Sequence, residues 1–313
     1  MHAAVVTSFD TPPRYLEHPE PVARSKGEVV VEVLAAGLHP RVRSQANGSH
    51  YTSTDEPPLV PGIDGVVRDP TGRLRYTVLD DTALGTMAER TVIDLDRSVV
   101  LPKGIDPVQI AAAMNPAMSA WIALRRRVDF RRRQRVLILG ATGNAGRMAI
   151  QVAKRLGASQ VIAAGRNPAR LAELAGLGAD QSCTLDELAE AADVDVVIDC
   201  VWGQPTARAM ADILTARRDR GAPLTWIEMG SVAGPEAPIP SAALRSARLQ
   251  IVGSGIGSVP GRDFVKELPK LASAVADGGF DVRARAVPLV EVQHAWTAPA
   301  GTSERIVVVP EQG

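Results

Sequence analysis

Cysteine is nearly absent: in 313 residues only Cys183 and Cys200 occur. Two thiols cannot build a four-cysteine metal site, and they are no disulfide framework for a chain of this length. Both read as small buried hydrophobes. An excess of either charge is lacking too. Lys+Arg and Asp+Glu are 35 each, so the net charge is zero and no global field recruits nucleic acid or a membrane. No apolar run reaches transmembrane length; the best candidate, residues 110–124, is interrupted by Asn115, Pro116 and Ser119. The opening MHAAVVTSFDTPPRY has no basic segment followed by an apolar core, so no secretory signal is expected and a cytoplasmic protein is.

What is present is the composition of an ordinary soluble protein, 45% hydrophobic and 22% charged, long enough for two domains with cores. The chain is organised around residues 135–170. Val136-Leu-Ile-Leu139 reads as a parallel strand buried on both faces. Gly140, Gly143 and Gly146 follow, and the apolar positions Ala145, Met148, Ala149, Val152, Ala153 and Leu156 have the spacing of one helical face. Gly157 closes the helix, and a second apolar strand runs over residues 161–164. The order is strand, glycine turn, helix, strand, which is a βαβ unit.

The glycines have mechanical reasons. The turn needs a residue without Cβ, the middle glycine lets backbone approach a pyrophosphate, and the third lets the helix sit close to the strand. The cradle is expected from Gly140, Thr142, Gly143, Asn144, Ala145 and Gly146, with the helix N-terminus offering N–H groups to phosphate. The end of the second strand selects the dinucleotide. Gly165-Arg166-Asn167 is followed by Arg170 with no carboxylate between them. Arginine there can fork onto a ribose 2′-phosphate, where an acidic residue would take a 2′-hydroxyl. The expected cofactor is therefore NADPH.

Residues 1–116 read as short strands and turns, a mostly antiparallel β domain. Strands are expected over 3–6, 28–34 and 74–79, with a hairpin turn at Asp69-Pro-Thr-Gly72 and one or two strands over 92–100. A helical pattern from Val108 to Arg127, broken at Asn115-Pro116, marks the domain junction. Strands over 194–200, 224–229 and 250–256 flank a helix over 205–217, which makes a doubly wound sheet. A helix over 264–277 and strands over 284–287 and 304–310 follow. The predicted architecture is α/β, with residues 117–258 as the nucleotide-binding domain and 1–116 with 259–313 as the second.

These residues resemble the medium-chain dehydrogenase/reductase superfamily, and within it the zinc-free, zeta-crystallin-like quinone oxidoreductases. The marks are Gly27-Glu28-Val29, Ala35-Ala36-Gly37-Leu38-His39-Pro40, Pro61-Gly62-Ile63-Asp64-Gly65, Ser119-Ala120-Trp121, the glycine turn, Asp199-Cys200-Val201 and Gly230-Ser231. The resemblance implies a GroES-like β domain plus a Rossmann domain with the active site between them. It also implies a homodimer joined along the strand near 250–254. It adds Ser119, Cys200, Val201, Met229, Gly230, Ser231 and Ser254 to the cofactor-binding set. Zinc relatives carry a cysteine where this chain has His39 and a histidine-glutamate pair at Ile63-Asp64, so the resemblance implies a metal-free protein.

Without zinc, carbonyl polarisation falls to side chains and the cofactor ribose, which favours hydride addition to a quinone or enone over alcohol oxidation. His39 is at a position that lines the nicotinamide site in relatives, and can donate to a substrate oxygen or be a hydrogen-bonded structural histidine. Gly48-Ser49-His50-Tyr51 resembles the family's glycine-x-tyrosine stretch, with the tyrosine one place late and His50 in its expected position. Tyr51 is the preferred donor, with His50 and His39 beside it; Asn115 is a weaker pocket candidate, and His294 is expected on a solvent-facing helix. Seven arginines fall within residues 125–135. They read as a solvated helix end and loop, and the alternative is an NADPH-binding regulatory or RNA-binding protein with little turnover.

Overall fold

The computed structural model describes residues 1–53, 56–79, 82–298 and 304–311. It divides into two compact units, Met1–Asn115 with Val265–Gly313, and Pro116–Phe264. In chain order the first unit begins with β1 (His2–Val5), β2 (Arg14–Glu17), β3 (Glu28–Leu38), α1 (Pro40–Ala46), β4 (Asp64–Arg68), β5 (Leu74–Val78), β6 (Arg90–Asp94) and β7 (Ser98–Val100). Helix α2 (Pro107–Ile122) carries the boundary. The second unit holds β8 (Arg135–Leu139), α3 (Asn144–Arg155), β9 (Gln160–Gly165), α4 (Pro168–Ala172), β10 (Gln181–Thr184), β11 (Val196–Asp199), α5 (Gly203–Ala216), β12 (Leu224–Glu228), α6 (Ser241–Ser246) and β13 (Leu249–Gly253). Then come α7 (Gly261–Val265), α8 (Leu268–Ala276), β14 (Arg283–Pro288), α9 (Val292–Thr297) and β15 (Glu304–Val309).

The second unit's sheet has the order β10-β9-β8-β11-β12-β13, parallel throughout. Counted from β8 this is the 3-2-1-4-5-6 order of a dinucleotide-binding sheet, and its direction reverses between β8 and β11. Leu137, Leu139, Val197, Met210, Ile213 and Trp226 form its core. The first unit's larger sheet runs β14-β15-β3-β4-β5-β7, with β6 also on β3. Its pairs are antiparallel except β14 with β15. The β4–β5 hairpin turns at Asp69, whose Oδ1 accepts from Thr71 N at 2.9 Å and Arg73 N at 3.1 Å.

Several expectations are corrected. The helix over 108–127 does not break at Asn115-Pro116: α2 runs through Pro116 and ends in a π-helical turn over Ala123–Arg127. Proline removes one backbone bond, but Ala111, Ala112, Ala113, Met114, Ala117 and Ala120 are buried around it, and that packing outweighs the local cost of about 3 kcal/mol. The single helix over 264–277 is two, α7 and α8, with Pro269 at the start of the second. Helix α1 and strands β2 and β10 are additions; β10 is polar and half-exposed at a sheet edge, where strand patterning is weakest. Among the described residues no helix is long and apolar enough to cross a membrane.

Candidate functional site

In the second unit the chain leaves β8 at Gly140 with φ +78, and both Gly140 N and Ala141 N donate to Ala164 O at 3.0 Å. A Cβ at Gly140 would lie 3.0 Å from Val201 Cγ2. One at Gly146 would lie 2.4 Å from Gly140 O and 2.6 Å from Ala141 Cα, so only glycine lets α3 pack this close to the turn. Gly143 is open, its nearest neighbour being Gly140 O at 3.5 Å. Arg147 N donates the first helical bond, to Gly143 O at 2.8 Å, and no side chain caps the helix. The N–H groups of Asn144, Ala145 and Gly146 are thus the ones an anion would meet.

At the end of β9, Gly165 packs on Thr142, whose Cγ2 would be 3.2 Å from an added Cβ. Arg166 is exposed. Asn167 Oδ1 accepts from Arg170 N at 3.2 Å, capping α4, so the amide NH₂ is what Asn167 can offer a ligand. Arg170 Nη2 donates to Thr142 O at 3.0 Å. Arg170 therefore braces the glycine turn from the neighbouring helix.

The carboxyl ends of β11, β12 and β13 complete this edge. A Cβ on Gly140 would be 3.4 Å from Cys200 Cβ, and one on Gly230 3.5 Å from Cys200 O, so Gly140, Cys200, Val201 and Gly230 come together. Met229 N donates to Asp199 O and Ser254 N to Glu228 O, each at 2.8 Å. Ser231 and Ser119 are exposed, the latter on α2. Burial, Asp199 and Glu228 push the Cys200 thiol up to about 12, so it stays protonated and is no nucleophile. Burial and Asp199 also raise Glu228 above the ordinary carboxylate range.

The residue that organises this edge is Asp199, which sequence reasoning took only as a family mark. It is fully buried. Oδ1 accepts from Val201 N at 2.8 Å and Trp202 N at 3.0 Å, while Oδ2 accepts from Thr206 Oγ1 at 2.6 Å and Trp226 Nε1 at 3.0 Å. Four donors on one carboxylate fix the loop that follows β11. A carboxylate ending an apolar strand is the signal that could have found it, since such a group must collect donors.

In the first unit, His39 precedes α1 and is buried, with Nε2 2.7 Å from Asp64 Oδ1. Tyr76 Oη donates to Asp64 Oδ2 at 2.7 Å. Arg305 of β15 is also buried and feels the charge of Asp64; its Nε and Nη2 have no acceptor among the described residues. Burial, with the guanidinium charges of Arg305 and Arg41, holds the His39 imidazole below its ordinary pKa against the pull of Asp64. Burial and Asp64 push the Tyr76 phenol well up, so it remains a donor. A neutral His39 gives its Nε2 proton to Asp64 and presents Nδ1 as an acceptor. The Nε2 of His39 is thus engaged by Asp64 within the first unit.

His50 and Tyr51 lie in the turn after α1. His50 Nδ1 lies 2.9 Å from Thr52 Oγ1 and 3.2 Å from Thr52 N, and Arg41 Nη2 donates to Thr52 Oγ1 at 2.7 Å. The Tyr51 ring stands 4.2 Å from the His50 ring and is 73% exposed. Asn115 is half-buried and His294 is exposed on α9.

A family model described as zinc-binding dehydrogenase matches residues 145–276. A protein of Emericella nidulans, named as a probable NADPH-dependent quinone reductase, is 30% identical, the match covering 99% of this chain and 100% of the relative. The chain belongs to the quinone oxidoreductase-like family of medium-chain dehydrogenases/reductases. The quinone oxidoreductase of Thermus thermophilus, solved also with NADPH, superposes with a TM-score of 0.83 at 27% identity, covering 99% of this chain and 100% of that one. A chloroplast NADPH-dependent alkenal/one oxidoreductase of Arabidopsis thaliana is 29% identical over 56% of this chain and 50% of its own length.

This oxidoreductase therefore joins a parallel dinucleotide-type sheet to an antiparallel β unit. The matched family segment begins at residue 145 and so leaves out His39, Ile63 and Asp64. Among the described residues no group of three or more His, Cys, Asp or Glu side chains could hold a metal ion.

Proposed function

We propose that this oxidoreductase is a zinc-independent, NADPH-dependent reductase of quinones or α,β-unsaturated carbonyls. The observation that carries the cofactor reading is the glycine cradle: the place of a Cβ at Gly146 is filled by backbone, and three N–H groups open the helix beyond it. Gly140, Thr142, Gly143, Asn144, Ala145 and Gly146 hold the pyrophosphate, and Arg166 with the Asn167 amide takes the 2′-phosphate. Arg170 positions the turn through Thr142. Ser119, Cys200, Val201, Met229, Gly230, Ser231 and Ser254 receive the nicotinamide half. When bound, the cofactor supplies a hydride for an electron-poor carbon.

The protein's part is to bind, orient and handle a proton. Tyr51 and His50 are the donors proposed for the reduced oxygen. His39 acts through its bond to Asp64 in shaping the site. Ile63 and Asp64 replace the histidine-glutamate pair of zinc relatives, and His39 is engaged by Asp64, which supports the metal-free reading. The names of the Emericella, Thermus and Arabidopsis relatives support the substrate class.

The regulatory or RNA-binding alternative draws little from the arginine segment. Arg127 Nε donates to Gly253 O at 2.8 Å, Arg131 pairs with Asp129 at 2.7 Å, and Arg135 engages Gln160, Asp193 and Asp195. Of these, the Arg127 and Arg135 contacts tie the segment to the fold, while Arg131–Asp129 is an exposed local pair. We propose a cytoplasmic homodimer joined through β13, which is an edge strand paired on one side to β12. Equilibrium binding of NADPH and NADH tests the cofactor reading: tighter NADPH binding is expected, and equal affinities overturn it.

A further inference from the structure

Trp202 has the backbone of a different residue. Its φ of 54° and ψ of −163° fall in a region that glycine occupies and side chains avoid. Neighbours hold it there from both sides. Asp199 takes the N–H groups of Val201 and Trp202 at 2.8 and 3.0 Å, and is itself pinned by Thr206 and Trp226. On the other side Gly203 has φ +68 and no room for a Cβ, which would lie 2.9 Å from Ala233 O.

Glycine at 202 would relieve this strain, so the indole must have another use. Trp202 is half-buried, and among the described residues its ring makes no hydrogen bond and no aromatic or cation contact. The other tryptophans are each engaged. Trp226 is buried and bonded to Asp199, Trp121 lies under Arg125, and Trp296 lies under Arg43. The loop's place is also specific. It follows β11, Val201 touches Gly140, and between β8 and β11 the sheet order reverses, which is where such sheets bind ligands.

We propose that Trp202 is a specificity-determining ring platform, its indole stacking on a planar, electron-poor conjugated ring bound at the carboxyl edge of the six-stranded sheet. This rests on the reductase reading above, in which two ligands carry such a ring, the oxidised nicotinamide and a quinone. An electron-rich indole and an electron-poor ring favour offset stacking.

Three substitutions separate ring from backbone. Trp202→Ala removes the ring and keeps the strain, Trp202→Phe keeps a ring, and Trp202→Gly removes both. Arg133→Gly is the control, because Arg133 also has a positive φ, +73, but precedes β8 at the far end of the strand from Gly140. Melting temperature, calorimetric Kd for NADP⁺, and kcat/KM for 1,4-naphthoquinone and for but-3-en-2-one are measured on each. Trp202→Gly is expected to melt above Trp202→Ala, and both to lose about three- to tenfold in ligand recognition. Trp202→Phe is expected to retain most of it, and Arg133→Gly to keep wild-type binding. Weaker NADP⁺ binding identifies the nicotinamide as the stacked ring, whereas a loss in kcat/KM confined to naphthoquinone identifies the quinone. Wild-type values for Trp202→Ala in all three ligand measurements overturn the proposal. A loss in Trp202→Gly alone overturns it too, because it would assign the effect to the loop and not the ring. If the wild-type protein binds neither NADP⁺ nor NADPH, the cofactor reading itself fails, a result distinct from either.

Discussion

Arg166 is the side chain whose removal should separate the two nicotinamide dinucleotides. It follows the last residue of β9, exposed, next to Asn167, with no acidic residue beside it to hold a ribose 2′-hydroxyl. Arg166→Ala is expected to lose about 1.5–3 kcal/mol of NADPH binding and little NADH binding, as read by calorimetry. Equal losses would remove the 2′-phosphate assignment. His39 makes a second prediction, through pH. Its folded pKa lies below the ordinary value of 6.5, so the unfolded chain takes up a proton that the folded one refuses. The stability that depends on a neutral His39 is present above pH 6.5 and declines as pH falls below it towards the folded value. The melting temperature should fall between pH 7.5 and 5.5, by less in His39→Gln; an equal fall in both would place the proton elsewhere. Residue types on their own were legible here, since Arg166, Asn167 and the glycines announce themselves by position. Partners were not. That Asp64 binds both His39 and Tyr76 depends on segments that meet only after folding, and of the four donors on Asp199 the Trp226 indole alone comes from another strand.

Among the elements, β8, α3 and β9 were readable because their patterns are strong: apolar runs for strands buried on both faces, and one continuous apolar stripe on the helix. The turn between β8 and α3 yields a prediction. Gly146→Ala brings a Cβ to 2.4 Å from a backbone oxygen that cannot swing aside, so α3 must move outward. A loss of about 1–3 kcal/mol in urea unfolding is expected, together with weaker NADPH binding. Unchanged unfolding would mean that the helix does not pack as described. The elements that escaped the sequence are those whose local signal conflicts with their environment. Helix α1, PRVRSQA, is short, and its buried side is limited to Val42, Gln45 and Ala46. Strand β10, QSCT, is polar at an edge. In α2 the local rule against proline was outweighed by burial around Pro116.

At the scale of the molecule, a six-stranded parallel sheet in dinucleotide order and an antiparallel β sheet reproduce the α/β class that the alternation of strands and helices implies. The family membership turns that class into an oxidoreductase. The central claim, reduction of a conjugated carbonyl by NADPH without zinc, is tested most directly by turnover. NADPH consumption by the purified protein is followed with 1,4-naphthoquinone and but-3-en-2-one, in the presence of EDTA and in parallel with NADH. Consumption that persists in EDTA and is faster with NADPH is the expected result. Turnover abolished by EDTA and restored by zinc, or no turnover with either substrate while NADPH still binds, would contradict it.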